Sequence, residues 1–389
     1  MANSISIDGS APLPVRAPAT VAELCALVTE TRSLKHGLYP VGGRTTLDLG
    51  LPPAKPGTGC DTTALSGVID YPARDMTVTV RAGTTVAALQ AELARESQWL
   101  PIDVPSPGAA TLGGAVAVNA SGPRRFGHGT LRDYVIGISF VTDDGAEVKA
   151  GGRVVKNVAG YDLMKLQIGA LGTLGVITQL TLKVKPKPEA AASVVFGCDS
   201  AALAGVLDAL AASKTRPVAV EVLNQAAWRA AGAGAPVAAE WACVIGFEEK
   251  PAAVRWQTAA VLNELKAAPI RDVAELPGAT LLDALTALQL RAASRCISKV
   301  SVLPSQVAET LVKVPAGAPV HAHALTGVVW LHTDETLPEG AAVRRCPPGR
   351  KKALPGGAVP SAGWNLMRHV KTTLDPDNVF NPGRLFGDL

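Results

Sequence analysis

At 389 residues the chain can hold two or three domains with cores of their own. Hydrophobic residues make up 48% and charged residues 18%, a balance far from that of a disordered chain. Lys and Arg number 37 against 33 Asp and Glu, and no arginine stripe with interleaved aromatics occurs, so nucleic acid is not the expected partner.

In chain order, Pro18 to Thr31 reads as a helix, with Thr20 as N-cap and Val21, Leu24, Cys25 and Val28 at helical spacing. Leu38 to Val41 reads as a short strand running into Gly42-Gly43, followed by strands at Gly67 to Asp70 and Thr77 to Arg81. Thr85 to Glu96 is an amphipathic helix with Val86, Leu89 and Leu93 on one face. After a Gly, Ala and Ser-rich block from Gly108 to Gly129, Tyr134 to Thr142 and Glu147 to Ala150 form a hairpin about Asp144-Gly145. Gly175 to Val184 is a further strand, ending at Lys185-Pro-Lys-Pro188, the best domain boundary.

Beyond that boundary the glycine signature stops. Strands are predicted at Val194 to Phe196, Val218 to Leu223 and Trp241 to Phe247, with helices at Ala201 to Ala212 and Ala252 to Leu265. This rhythm predicts helices packed on one antiparallel sheet. A Pro/Gly loop, a helix from Trp364 to Thr372 and the tail Leu374 to Arg384 follow, and no internal repeat stands out. The six cysteines, Cys25, Cys60, Cys198, Cys243, Cys296 and Cys346, form no CxxC pair. That spacing suits neither zinc nor an iron–sulfur cluster, and scattered thiols fit a reducing compartment. No basic n-region precedes an apolar run, and no stretch nears the ~20 apolar residues of a membrane span, so the expected location is cytoplasmic.

The chemistry is carried by four glycine-rich segments: Val41-Gly-Gly-Arg-Thr-Thr46, Pro105 to Gly122, Gly151 to Asp162, and Gly169 to Thr178. Glycines let successive N–H groups point inward as an anion nest and let backbone approach a flat or phosphorylated ligand. Each segment alone reads equally as a tight turn or as close chain-on-chain packing, whereas the set together favours a dinucleotide. No G-x-G-x-x-G follows a strand in the first half, and no G-x-x-x-x-G-K-[ST], H-E-x-x-H or G-x-S-x-G occurs.

The order Val41 to Thr46, Gly108…Thr111-Leu-Gly-Gly114…Asn119-Ala-Ser-Gly122, Lys156-Asn-Val-Ala-Gly-Tyr-Asp162, Gly172-Thr-Leu-Gly-Val-Ile-Thr178 and Asn381-Pro-Gly-Arg384 resembles the FAD-binding oxidases of the vanillyl-alcohol-oxidase / p-cresol-methylhydroxylase type. Within that group it looks most like the FAD-binding E-type subunits of glycolate oxidases, over residues 17–188 and the tail. The resemblance implies an α+β fold: an FAD domain of two α+β subdomains over residues 1–187, a cap with a ferredoxin-like sheet over 188–335, and a segment, 336–389, closing over the FAD site. It implies pyrophosphate on Val41, Gly42, Gly43, Arg44, Thr45 and Thr46. Pro107, Gly108, Thr111, Leu112, Gly113 and Gly114 would line the flavin and phosphate side, with Asn119, Ser121 and Gly122 nearby. Gly172, Gly175, Val176 and Ile177 would meet the adenine or ribitol end, and Asn381 and Arg384 the isoalloxazine. Members that attach flavin covalently often carry a His in the Gly-Gly loop; Arg44 stands there, so FAD is expected to be non-covalent.

The resemblance further implies oxidation of glycolate to glyoxylate beside a second FAD-binding subunit and an iron–sulfur subunit, with any contact to the inner membrane made peripherally through them. Such oxidation needs a cation for the carboxylate, a base for the hydroxyl proton and a flavin against the carbon losing hydride. Related 2-hydroxy-acid dehydrogenases resemble one another in a His-Pro-x-Gly-Asp-Gly-Asn-x-His run that supplies metal ligands. His321-Ala-His-Ala-Leu-Thr-Gly-Val-Val-Trp-Leu-His332 stands in its place without the Gly-Asp-Gly-Asn core. His321 and His323 share a strand face. They read as half a metal site or, preferably, as surface or strand-end histidines, and no metal is expected. Arg124 and Arg125 read as anion contacts near the flavin or as a solvated pair. Lys156 and Asn157 read as flavin contacts or as loop braces. Arg344, Arg345, Arg350, Lys351 and Lys352 read as an exposed basic loop, functionally a dock for an acidic partner. A stand-alone 2-hydroxy-acid dehydrogenase and a flavin-free scaffold are the competing readings.

Overall fold

The first helix forms where its capping residues require. The Thr20 hydroxyl accepts from the Glu23 N–H at 3.1 Å, and the Glu23 carboxylate accepts from the Ala19 N–H at 2.9 Å, starting helix Val21–Ser33. The computed structural model describes residues 4–152, 161–232, 237–290, 296–315, 317–333, 341–347, 351, 363–385 and 387. Among these, a four-stranded sheet runs in the order Ser4–Ile5, Leu13–Arg16, Gly57–Asp61, Gly37–Val41. A five-stranded sheet runs Val68–Asp70, Thr77–Arg81, Val176–Lys183, Val135–Val141, Glu147–Gly151. Leu24, Leu27 and Val28 of the first helix fill the space between the two, against Leu38, Cys60, Val141 and Val176. On the far side of the second sheet, Leu89, Leu93, Leu112 and Val116 pack onto Val78, Val80, Leu180 and Leu182.

The rest of the chain builds an eight-stranded antiparallel sheet. Its order is Arg271–Pro277, Ala190–Cys198, Trp241–Glu249, Ala219–Asn224, Val320–His323, Val328–His332, Ile297–Ser301, Ala342–Arg345. Numbered along the chain within each half, both halves read 4-1-3-2, the ferredoxin-like order. The halves meet at their second strands, where Glu221 lies opposite His323 and Leu223 opposite His321. The repeat is therefore present in topology, although no repeat is visible in the sequence. Helices Ser200–Ala211, Pro251–Glu264 and Val307–Val312 cover one face through Leu203, Leu207, Val254, Val261 and Leu311. The shorter helices Gln225–Ala231 and Thr280–Leu288 cover part of the other face. What they leave bare faces the first two sheets.

The C-terminal tail returns to the first sheet as an added strand. The Leu38 N–H donates to the Val379 carbonyl at 2.7 Å, and the Asn381 N–H to the Leu38 carbonyl at 2.9 Å. Buried Lys371 locks it: Nζ donates to the Thr173 and Phe380 carbonyls, each at 3.0 Å, and to the Asp375 carboxylate. Asp375 in turn accepts from the Val379 and Phe380 N–H groups at 2.8 Å. Removing one member of a buried charged pair strands the other. Lys371→Met is expected to lower unfolding free energy in urea by about 3 kcal/mol; a loss under about 1 kcal/mol would show that the pair does not hold the tail.

Candidate active site

Strand Gly37–Val41 delivers the Gly-Gly loop to a second loop coming from the opposite sheet. A Cβ on Gly42 would lie 2.1 Å from Thr111 Oγ1, and one on Gly43 would lie 1.7 Å from the Ala109 carbonyl oxygen. Only glycine fits at either position. Arg44 follows in the left-handed region at φ 60°, its guanidinium 3.4 Å from the Asp61 carboxylate. Among the described residues, no backbone N–H from Gly42 through Thr46 donates to a protein acceptor. All five residues line the cleft, and unpaired donors there suit a diphosphate. The facing helix Leu112–Ala117 spends its own first donors internally. Leu112 and Gly113 N–H bond to the Thr84 and Ala82 carbonyls at 2.9 and 2.8 Å, and Gly114 N–H to Thr111 Oγ1 at 3.3 Å. Gly113 and Gly114 thus offer the cleft bare Cα surface rather than hydrogen bonds.

The tail forms the far wall. Asn381, at φ 45°, donates from Nδ2 to the Leu171 carbonyl at 2.6 Å. Arg384 donates to the Leu47 carbonyl at 2.7 Å and also to those of Leu49 and Leu51. It clamps the segment after the Gly-Gly loop. Together these walls bound a cleft. Val41, Gly42, Gly43, Arg44, Thr45, Thr46, Thr111, Gly113, Gly114, Gly172, Gly175, Val176, Ile177, Asn381 and Arg384 all line it. Asn119 and Ser121 line an adjoining chamber. Leu112 is buried in the core against the second sheet. Gly122 packs on Asp103, where a Cβ would lie 2.6 Å from the Asp103 side chain. Pro107 and Gly108 are exposed, away from the lining. Lys156 and Asn157 lie outside the described residues.

The adjoining chamber shares Thr46, Leu49, Pro105, Val118, Ala120 and Leu290 with the cleft. Its other wall is the bare face of the eight-stranded sheet, which presents Lys299, Trp330, Arg344 and Arg345. Arg345 pairs with Asp48. Lys299 and Arg344 form no ion pair or hydrogen bond among the described residues, and the Arg344 guanidinium lies 5.9 Å from the Trp330 ring centroid. Burial, then the nearby Arg344 and Arg125, push Lys299 down to about 8. Two cations without carboxylate partners among the described residues make this chamber the candidate anion site.

Behind Trp330 the sheet face is ionisable and sealed. His323 Nδ1 lies 2.8 Å from Glu221, and Trp330 Nε1–H donates to His323 Nε2 at 3.3 Å. Trp can only donate, so Nε2 is the acceptor and Nδ1 carries the hydrogen toward Glu221. Burial raises the Glu221 carboxyl above the usual range, and His323 opposes the rise. His321 is fully buried with no hydrogen bond at either ring nitrogen among the described residues. Burial, then the neighbouring His332 and His323, hold it well below the ordinary histidine range and so neutral.

Several expectations are corrected here. The histidines are interior rather than on the surface, because the sheet face carrying them closes against the first two sheets, although His323 does end its strand. Arg124 is neither solvated nor free for a ligand. It is buried and bonds Asp103 at 2.6 Å, Glu248 at 2.7 Å and Asp283 at 3.0 Å, tying the sheets together. The basic stretch is no exposed loop. Arg344 faces the chamber, Arg345 meets Asp48, and Lys351 is buried 3.0 Å from Asp8; Arg350 and Lys352 lie outside the described residues. Sequence reasoning missed Glu221 and Lys299. Each is the one charged residue of its strand, AVEVLN and ISKVS, and that was the available signal.

Residues 12–151 match the model of the FAD binding domain, and residues 185–313 and 350–385 that of the FAD linked oxidases, C-terminal domain. The chain belongs to the FAD-linked oxidases. It is similar to glycolate oxidase subunit GlcE of Escherichia coli (strain K12), 38% identical over 43% of this chain and 47% of that one. Glycolate oxidase subunit GlcD of Bacillus subtilis (strain 168) is 30% identical over 56% of this chain and 46% of the relative. A D-2-hydroxyglutarate dehydrogenase of Xanthomonas citri pv. viticola is 33% identical over 46% and 38%. The chain thus spans about half the length, or less, of these curated relatives. An alkyldihydroxyacetonephosphate synthase structure shares the fold, with TM-score 0.70 and 19% identity over 95% of this chain and 76% of that one. No helix among the described residues is long and apolar enough to cross a membrane.

The position of Lys299 gives a pH dependence. The ammonium is present below about 8 and lost above it. Oxalate affinity, measured calorimetrically, is expected to fall about tenfold from pH 7 to 9.5. Lys299→Met should flatten that profile; an unchanged profile in the variant would place the anion elsewhere.

Proposed function

We propose that this chain is the FAD-binding subunit of a glycolate oxidase or dehydrogenase assembly, oxidising glycolate or a close 2-hydroxy acid. One observation carries the reading: the cleft lined by unpaired amides opens directly into a chamber with two unpaired cations. FAD, when bound, supplies the two-electron oxidant. The amides from Gly42 to Thr46 hold its pyrophosphate, Val176 and Ile177 its adenine or ribitol end, and the Gly113–Gly114 surface its flat rings. Lys299 and Arg344 fix the substrate carboxylate, so that the carbinol carbon lies at the mouth between chamber and cleft. Arg44 in place of a histidine supports non-covalent attachment.

The chamber is poorer in bases than in cations. His323 is committed to Glu221 and Trp330, and His321 is enclosed. This supports a subunit that works beside a second FAD-binding subunit. Onward electron transfer is assigned to an iron–sulfur partner, because the six cysteines here have no cluster spacing. Through those partners the chain would sit at the cytoplasmic side of the inner membrane. One feature favours a stand-alone dehydrogenase instead: Lys299, at about 8, is poised to accept a hydroxyl proton. A flavin-free scaffold would have no use for unsatisfied amides at a cleft.

The purified chain is expected to show oxidised flavin bands, to release all its colour on acid precipitation, and to bleach slowly with anaerobic glycolate. The co-expressed assembly should bleach at a catalytic rate. Failure to take up flavin on reconstitution would refute the reading, and full turnover by the lone chain would establish the stand-alone alternative.

A further inference from the structure

We propose that Trp330 determines which 2-hydroxy acids the chamber admits, restricting them to those with a short substituent at C2. The inference rests on the function proposed above and concerns the same chamber. Trp330 stands opposite Lys299 on one neighbouring strand and His321 on the other, so the three side chains share the face that looks into the chamber. Trp330 lines that chamber with Lys299 and Arg344 and is only 6% exposed.

The indole is held from behind. Its N–H is spent on His323 Nε2 at 3.3 Å, and His323 is fixed by Glu221 at 2.8 Å. The His321 ring lies nearly parallel to it, 4° between planes with centroids 6.0 Å apart. Swinging the ring aside would leave the buried indole donor unpaired, so the wall does not yield easily to a larger ligand. Because the donor points inward, the ring offers the chamber an apolar surface with no polar atom. The Arg344 guanidinium lies 5.9 Å from the ring centroid. A carboxylate held there has C2 one bond away, so a growing C2 substituent runs into the indole or toward the cleft. A rigid aromatic wall at that distance rejects bulk sterically, which a merely apolar pocket cannot do.

The test is calorimetric titration of the FAD-loaded full chain with glycolate, lactate, 2-hydroxybutyrate and 2-hydroxyisocaproate. Wild-type affinity is expected to fall about tenfold or more from glycolate to 2-hydroxyisocaproate. Trp330→Ala should abolish or invert that order, and Trp330→Phe, which keeps an aromatic wall, should retain most of it. If Trp330→Ala does not fold, Trp330→Leu opens the same side of the chamber and should flatten the series. An unchanged series in the shortened variants, or a wild type indifferent to length, overturns the wall while leaving the proposed function standing. Binding of none of the acids by the wild type overturns both.

Discussion

Everything at the site depends on how closely two loops approach. Gly43 sits under the Ala109 carbonyl and Gly42 against the Thr111 side chain, with no room for a Cβ at either. That contact joins the four-stranded sheet to the five-stranded one and uses up the space a side chain would need. The amides from Gly42 to Thr46, residues that line the cleft, are left without a protein acceptor among the described residues. The helix beyond Thr111 spends its first donors on Thr84, Ala82 and Thr111, so it adds none to those of the Gly42–Thr46 loop. Close packing and ligand binding, alternatives when each glycine is weighed separately, are here one arrangement serving both.

The second constraint is the seam of the eight-stranded sheet. Two ferredoxin-like halves meet at their second strands, and the seam pairs Glu221 with His323. One sheet face is apolar beneath its helices. The other carries Glu221, His321, His323, Trp330 and Lys299, and it closes on the cleft. Arg124, bonded to carboxylates from three separate segments, holds that closure. The outcome is graded in depth: the Glu221–His323–Trp330 chain and the enclosed His321 lie furthest in, the indole forms the wall, and two unpaired cations stand at the chamber. Charge suited to an anion is kept where a ligand can reach it, and Glu221, His323 and Trp330 are satisfied among themselves.

Much of this was legible in the sequence because local chemistry agreed with the fold. Strand Thr77–Arg81 and the hairpin at Gly145, with φ 80°, follow from alternation and turn residues. Thr20 starts the first helix as its position requires. Glycine clustering pointed to the cleft, and most residues so marked line it. Leu112 went astray because apolar residues inside a glycine block face the core, and Gly122 because its space is filled by Asp103. The strands of the large sheet beyond Phe247 were least legible. Strand Arg271–Pro277 is mostly exposed and ends in proline, so its pattern resembles a loop. Glu221 meets His323 across the seam, and Lys299 lines a chamber whose other wall comes from the first half of the chain, placements no local spacing encodes. The basic run at 344–352 looked solvated because its partners, Asp48 and Asp8, lie some 300 residues earlier.

The most direct measurement is amide hydrogen exchange of the full chain with and without FAD, resolved to the Gly42–Thr46 loop. The account predicts that these amides, which donate to no protein acceptor among the described residues, exchange fast without the cofactor and become strongly protected with it. Protection confined to other segments, with exchange at Gly42 to Thr46 unchanged by FAD, would contradict it.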